Sequence, residues 1–206
     1  LVAGRMKKRE NAVALERYEW VDLQPAADLT GWRPVFGTWQ VEDDGTLVGT
    51  CDERGRTKIL CESELGLDAE LTAECDLIEK PTRDKLWYQV TMLLAHTAGE
   101  DERNRAVGVR LEAPSQLVQV AWWAARLPFN APDAIKQKAA LKGKAALRIV
   151  LWDGRLSVFV NGKRVVDKAP LPPEWLEGGG LGIAESTVVR VRKLRARRLD
   201  KPPDDF

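Results

Sequence analysis

The sequence has few of the residues that build metal sites and disulfide frameworks. Its 206 residues include one histidine, His96, and three cysteines, Cys51, Cys61 and Cys75. One imidazole does not make a multi-histidine metal site, and no two cysteines have the spacing of zinc ligands. An odd number of cysteines leaves at least one thiol unpaired, so we expect reduced thiols, with a Cys51–Cys61 disulfide as the alternative. The residues therefore predict neither a bound metal nor a cofactor.

The sequence also lacks net charge and long apolar runs. Lysine and arginine number 32 and the acidic residues 31, so no overall field favours nucleic acid as a partner. No run of 18 apolar residues is present and no signal-peptide pattern is visible, so we expect no membrane-spanning segment. The opening LVAGRMKKRE fits either the end of a missing N-terminal membrane anchor or the start of a soluble helix, in a chain that is part of a longer protein.

Short apolar runs separated by turn residues make up most of the chain from Tyr18 onward. A dozen such runs at regular spacing are typical of an all-β fold, a two-sheet antiparallel jelly-roll sandwich with little helix. We expect an N-terminal leader or linker over 1–17, one jelly-roll domain over 18–200 and a C-terminal tail over 201–206. Helix is expected only within residues 5–17 and 133–141.

Two tight turns are predicted in the stretch WDGRLSVFVNGKRVVD, residues 152–167. Asp153-Gly154 and Asn161-Gly162 each stand between apolar runs, and such pairs favour the type I′ turns of two-residue hairpins. Three consecutive antiparallel strands follow from two such turns. The predicted partners are Trp152 with Arg155, Leu151 with Leu156, Val160 with Lys163 and Val158 with Val165.

This register sorts the side chains of the hairpins onto two faces, because side chains alternate along a strand. The core face is predicted to carry Leu147, Ile149, Leu151, Leu156, Val158, Val160 and Val165. The other face, exposed or lining a shallow groove, would carry Arg148, Trp152, Arg155, Ser157, Phe159 and Arg164. Exposed aromatic rings among polar side chains suit sugar rings, so the predicted ligand-binding residues are Arg148, Trp152, Arg155, Phe159 and Arg164. Alternatively, the insertion at 127–144 folds over these rings.

Several other segments carry specific expectations. Residues 97–106 read as a polar loop with His96 as a partly exposed residue at the end of the preceding strand. Trp175 is expected to anchor a proline- and glycine-rich connection, 170–180, in the core. Along the last strand, Arg190 and Arg192 share a face, and the phase then shifts near Lys193, which predicts a β-bulge.

Residues near both ends of the domain resemble one protein family. The opening motifs are Gly31-Trp32, Trp39-Gln40-Val41 and Asp44-Gly45-Thr46-Leu47, and the closing stretches are LRIVLWDGRLSVFVNGKRVVD and GGLGIAESTVVRVRKLRARRL. They resemble the bacterial 3-keto-disaccharide hydrolase family, formerly a domain of unknown function. That family belongs to the concanavalin A-like lectin and glucanase superfamily, whose jelly roll is shared with laminin G-like modules. The resemblance implies this fold and a relation to glycosides, whereas LWYQVTMLLAHT in the middle departs from the family.

The string ECDLIE contains the arrangement most similar to a catalytic motif. Glu74, Asp76 and Glu79 resemble the pattern of laminarinase-like glycosidases in the same superfamily. A retaining mechanism needs two carboxyl groups about 5 to 5.5 Å apart, one of them protonated. The competing interpretation is plain alternation, in which Leu71, Ala73, Cys75 and Leu77 face the core and Glu70, Thr72, Glu74 and Asp76 face water.

Two functions from different classes follow. The preferred one is a non-catalytic recognition module that binds a glycan or a protein partner, since no base and nucleophile are identified. The alternative is a glycoside-acting hydrolase of the 3-keto-disaccharide type, with Glu74, Asp76 and Glu79 as its carboxylates. The resemblance favours an extracytoplasmic location, and the odd number of cysteines argues against it.

Substituting one residue of each candidate site separates the two functions. Glu74→Gln is expected to leave any glycoside turnover nearly unchanged, whereas Trp152→Ala is expected to weaken ligand binding by about 1 to 3 kcal/mol if the ring is an anchor. A loss of turnover of about a thousandfold in the Glu74→Gln variant would restore the hydrolase.

Overall fold

Two antiparallel sheets form the fold, as the sequence predicts. The structure is a computed structural model that describes residues 10–77, 89–97, 105–124, 135–141, 143–185 and 188–206, with the backbone alone at 105 and 122–124. Fifteen strands lie within these ranges. We call the sheet with the predicted hairpins sheet A and the second sheet B.

Sheet A contains strands from the beginning, middle and end of the chain. In spatial order its strands are β13 (Lys163–Pro170), β12 (Arg155–Val160), β11 (Gly143–Trp152), β6 (Ala69–Leu77), β15 (Val189–Arg198), β4 (Leu47–Thr50) and β3 (Thr38–Val41), with β1 (Val21–Asp22) also paired to β15.

Sheet B contains the remaining strands. In spatial order these are β10 (Ile135–Lys138), β9 (Leu117–Ala124), β8 (Arg105–Glu112), β7 (Gln89–His96), β14 (Gly180–Glu185), β5 (Thr57–Cys61) and β2 (Trp32–Phe36). Strands close in space come from distant parts of the sequence, since β14 lies between β7 and β5.

The core lies between the two sheets and is built from alternate residues of each strand. On β6 the predicted inward residues are all buried and belong to one apolar cluster: Leu71, Ala73, Cys75 and Leu77. On β7 of the opposite sheet Met92 is fully buried in the same cluster. Burying one face of each strand leaves the other face, here called the outer face, free for polar groups.

Both predicted hairpin turns are present. Trp152 pairs with Arg155 across the first turn, and Val160 pairs with Lys163 across the second. Asp153, Gly154, Asn161 and Gly162 all have positive φ, as type I′ turns require.

The predicted pairing of Val158 with Val165 is wrong. Val158 pairs with Val166, because a bulge beside Phe159 gives β13 one additional residue. Val166 is consequently 3% exposed in the core, while Val165 packs against it only partly buried. The predicted bulge near Lys193 is confirmed by the register shift between Arg192 and Arg195.

Helix is scarce, as predicted, and one of the two expected helical segments is present. Residues 10–16 are helical, and Leu15, in the expected leader, is buried in the core. The helical turn expected within 133–141 is wrong, because Ile135–Lys138 pairs with β9 as an edge strand and Ile135 packs on the core. None of the helices in the described ranges has the length and apolarity needed to cross a membrane.

Trp175 is buried and the cysteines are reduced, as predicted. Trp175 ends a short 3₁₀ helix, Pro173–Trp175, and is buried in the core. All three cysteines are free thiols, and burial raises the pKa of Cys75 to about 12. The Cys51–Cys61 alternative is therefore wrong. A thiol with so high a pKa is inert at neutral pH, since the thiolate is the nucleophile.

The glycine run 178–180 lets the chain approach β7 closely. A Cβ atom at Gly178 would lie 2.4 Å from the carbonyl oxygen of His96, and one at Gly180 would lie 2.8 Å from the same oxygen. Side chains are thus excluded where β14 begins, and Gly180 pairs directly with His96.

Gly178→Ala is expected to lower the free energy of unfolding by about 3 kcal/mol, because its Cβ would overlap backbone that cannot move aside cheaply. Gly162→Ala is the control: its Cβ would meet no atom within 4 Å, and left-handed backbone costs it about 1 kcal/mol. Urea denaturation of both variants measures the difference. Equal losses would contradict the close approach.

Candidate functional site

The hairpin face predicted to bind ligand is largely covered by the end of the chain. Val150, Phe159 and Leu199 form a small buried cluster, against which Trp152 and Phe206 pack. Ser157 is fully buried, so its predicted place on an exposed or groove-lining face is wrong. Phe159 is 7% exposed and lines a groove, which was the second form of the prediction. The reason is that residues 199–206 return over the outer face of sheet A.

Arginines hold this segment in place. Arg148 donates through Nη2 to Asp205 Oδ1 at 2.8 Å, and Arg164 donates to the Asp205 carbonyl. The guanidinium carbons of Arg148 and Arg164 lie 4.6 and 5.1 Å from the centre of the Phe159 ring. The Phe159 ring is therefore in contact with two cations. Arg155, exposed, reaches the Lys168 carbonyl at 3.5 Å.

A groove lies beside this contact on sheet A. Its volume is about 530 Å³. Arg148 and Phe159 line it from the predicted site, whereas Trp152, Arg155 and Arg164 do not. The other polar lining side chains are Thr72, Glu74, Lys193, Arg195 and Asp205.

The carboxylates of β6 are held by arginines and a lysine of neighbouring strands. Glu70, expected to face water, is 3% exposed and accepts hydrogen bonds from Arg148 and Arg197; its exposure is a wrong prediction, because two guanidinium groups replace the water. Glu74 binds Arg192 at 2.8 Å and Lys193 at 2.7 Å.

Ion pairing favours the charged form of Glu74. Hydrogen bonds and charge from Lys193 and Arg192 lower the pKa of Glu74. Asp76 lies 3.6 Å from Arg190. Glu79 lies outside the described residues. A general acid needs the opposite shift, so the pairing of Glu74 makes it unsuited to donating a proton.

The outer face of sheet B carries a second set of polar residues, which no sequence motif marks as a site. Strand register places them: inward Ile59, Met92 and Ile183 pair with one another, and the residues beside them point outward. Between the polar residues lie small or apolar side chains. The outward polar residues include Arg33, Lys58, Thr91, His96, Arg110 and Gln119.

One part of this face is a closed hydrogen-bond network. Glu185 is 3% exposed and accepts from Arg110 at 2.6 and 2.8 Å and from the Thr91 hydroxyl at 2.8 Å. Gln119 donates through Nε2 to Glu112 at 3.0 Å. Two carboxylates, Glu112 and Glu185, therefore lie close to this face with donors already bound to them.

The other part is basic. Lys58 and His96 are each 4% exposed. Burial lowers the pKa of Lys58 to about 8, with a smaller effect from Arg33. Burial, followed by the charges of Lys58 and Arg33, lowers the pKa of His96 to about 4. His96 was expected to be partly exposed; it is buried and uncharged at neutral pH.

Two polar atoms of this face have no partner. Across the parts of the chain that the structure describes, His96 Nε2, Gln119 Oε1 and Thr46 Oγ1 are the buried side-chain nitrogen and oxygen atoms without a hydrogen bond. Buried polar groups are nearly always satisfied, so each exception calls for a water, an ion or a ligand. Two of the three lie on the outer face of sheet B.

Metal ligation has no candidate in these ranges. No group of three or more histidine, cysteine or acidic side chains with the geometry to hold a metal ion lies within the described residues.

Solved structures similar to this chain share the fold. No protein-family model matches the chain, and no curated protein matches it. A carbohydrate-binding module, CBM66, from Bacillus subtilis has a TM-score of 0.61 at 16% identity and covers 80% of this chain and 94% of its own.

Two further structures have slightly lower similarity. A Bacillus subtilis protein of unknown function with a galectin-like fold has a TM-score of 0.56 at 15% identity, covering 87% of this chain and 94% of its own. A lichenase from a mouse hindgut metagenome has a TM-score of 0.55 at 8% identity, covering 87% and 98%. The jelly-roll fold is thereby confirmed, and the resemblance to the 3-keto-disaccharide hydrolase family stays a prediction.

The buried imidazole predicts a specific acid sensitivity. The ordinary pKa of histidine is 6.5 and that of folded His96 is about 4. Between these values the unfolded chain binds more protons, so stability falls as the pH is lowered from about 6.5 to about 4. His96→Gln should show a smaller decrease in Tm over this range, because the carboxylates contribute equally to both proteins. Parallel Tm curves would show that His96 does not carry this effect.

Proposed function

We propose that this chain is a non-catalytic glycan-binding module whose ligand lies on the outer face of sheet B. The observation that carries the proposal is the pair of unpartnered buried atoms, His96 Nε2 and Gln119 Oε1, on one face of one sheet. A sugar presents hydroxyl groups that both donate and accept hydrogen bonds, so one ligand class satisfies both atoms.

Apolar side chains lie between the polar residues of this face. Leu93, Ala106 and Ala184 form a buried cluster there and are at most 1% exposed. Binding sites typically combine apolar surroundings with a few placed polar groups. The fold similarity to a carbohydrate-binding module is consistent with this function.

The hairpin surface of sheet A remains a second location for the ligand. Its groove of about 530 Å³ contains Arg148 and Phe159. Two guanidinium groups already lie against the Phe159 ring, however, and these contacts compete with a stacked sugar. We therefore place the ligand on sheet B, and substitution of Trp152 tests the other surface.

A glycoside-acting hydrolase is the alternative function. Its most suitable carboxylates are Glu112 and Glu185 rather than Glu74. Glu112 is bound by Gln119, and Glu185 is bound by Arg110, which pairs with Gln119. Glu185 is bound by Arg110, which suits a nucleophile or a base. The hydrolase would still need a protonated carboxyl group as its acid.

Binding and turnover measured on the same neutral oligosaccharides test the proposal. Gln119→Leu removes the unpartnered acceptor, Oε1. The affinity for the oligosaccharide should fall about tenfold, because the ligand hydroxyl that donates to this atom loses its hydrogen bond. Gln40→Leu is the matched control, because Gln40 is exposed on the edge of sheet A.

Other outcomes are decisive as well. If Trp152→Ala weakens binding and Gln119→Leu leaves the affinity unchanged, the ligand binds to sheet A. Glycoside turnover that disappears in Glu185→Gln would make the chain a hydrolase.

A further inference from the structure

The outer face of sheet B brings together three basic side chains from three strands. Arg33 on β2 pairs with Leu60 on β5, and Lys58 lies two residues from Leu60 on the same face. On the far side of β14, His96 pairs with Gly180. We call Arg33, Lys58 and His96 the basic patch. The three influence one another electrostatically, as the lowered pKa of His96 shows.

None of the described carboxylates forms an ion pair with the basic patch. In the described ranges neither Arg33 nor Lys58 forms an ion pair or a side-chain hydrogen bond, and His96 Nε2 is unpartnered. Glu185, the buried carboxylate of this sheet, is bound by Arg110 and Thr91. Burying a cation without an anion is costly, so Lys58 is held at an energetic disadvantage in the unliganded protein.

Four arginines of the two sheets, in contrast, form ion pairs. Arg110, Arg148, Arg190 and Arg197 each bind a carboxylate of the chain itself. Both sheets therefore contain cations that carboxylates of the chain neutralise. Among the described residues Lys58 is the one buried lysine or arginine, and it has no ion pair. A buried, unpaired lysine near an unpartnered imidazole favours binding of an anion.

We propose that the glycan bound at sheet B is anionic, and that Lys58 and Arg33 bind its acidic group while His96 Nε2 binds a neighbouring hydroxyl. This inference rests on the proposed function and adds the class of ligand. A carboxylate of a uronic acid residue and a sulfate ester both supply the required charge.

Ligands that differ only in charge provide the test. Calorimetric titration with oligogalacturonate, and with the same oligosaccharide fully methyl-esterified, compares an acid with its neutral ester. The unmodified protein should prefer the acid about tenfold or more, as charge-assisted contacts imply. A sulfated galactose oligosaccharide, compared with its unsulfated form, distinguishes the two sources of charge.

Variants assign the preference to the basic patch. Lys58→Met keeps the length of the side chain and removes the charge, so it should abolish the preference while the ester binds as before. Its Tm should not fall, because no ion pair of the described residues is lost. Arg33→Gln should reduce the preference in part. Arg190→Gln is the control: this arginine pairs with Glu42 on sheet A, and its loss should leave the preference unchanged.

The outcomes separate the inference from the function on which it rests. A preference for either anion that Lys58→Met removes supports the inference. Equal binding of acid and ester overturns the inference and leaves the neutral glycan module intact. A preference that survives both Lys58→Met and Arg33→Gln also overturns it. Absence of binding by every oligosaccharide overturns the inference together with the proposed function.

Discussion

Burial of apolar side chains between two sheets is the constraint on which the rest of the structure depends. Each strand gives alternate residues to the shared core, so Leu71, Met92 and Ile149 are fully buried there. Every residue between them must then point outward. The polar groups of the strands therefore lie on two outer faces, and these faces are the candidate surfaces for a ligand.

The two outer faces treat their polar groups differently. On sheet A, cations from β11 and β15 bind the carboxylates of β6. Asp205, in the C-terminal segment 199–206, accepts a hydrogen bond from Arg148. Charges there satisfy one another. On sheet B the Arg110–Glu185 pair is satisfied, but Lys58, His96 and Gln119 retain unmet charge or unpartnered atoms. Unmet polar groups inside a folded protein mark the face that gains most from a ligand.

Local sequence signals predicted the parts of the fold that depend on neighbouring residues. The turns at 153–154 and 161–162 formed because Asn-Gly and Asp-Gly pairs adopt positive φ readily. The pairing of Val158 with Val166 could not be predicted, because a bulge changes the alternation of apolar residues in a short strand very little. Ile135–Lys138 was misread as helical, because only its pairing with β9 makes it a strand.

The site on sheet B depends on contacts between residues far apart in sequence. Lys58 and His96 lie on β5 and β7, and these two strands share one sheet face because β14 pairs with both of them. One local signal was available: Lys58 precedes the apolar run Ile59-Leu60-Cys61, where a charged residue is unusual within a buried strand. Glu70 carried no such signal, because its burial follows from arginines on β11 and β15.

The proton and nitrogen NMR signals of the imidazole provide the most direct measurement of where the ligand binds. His96 is the one histidine of the sequence, so these signals need no assignment by mutation. If a glycan binds to the outer face of sheet B, saturating oligosaccharide will shift the His96 signals and leave the indole signal of Trp152 in place. A shift of the Trp152 indole signal with unchanged His96 signals would contradict the account.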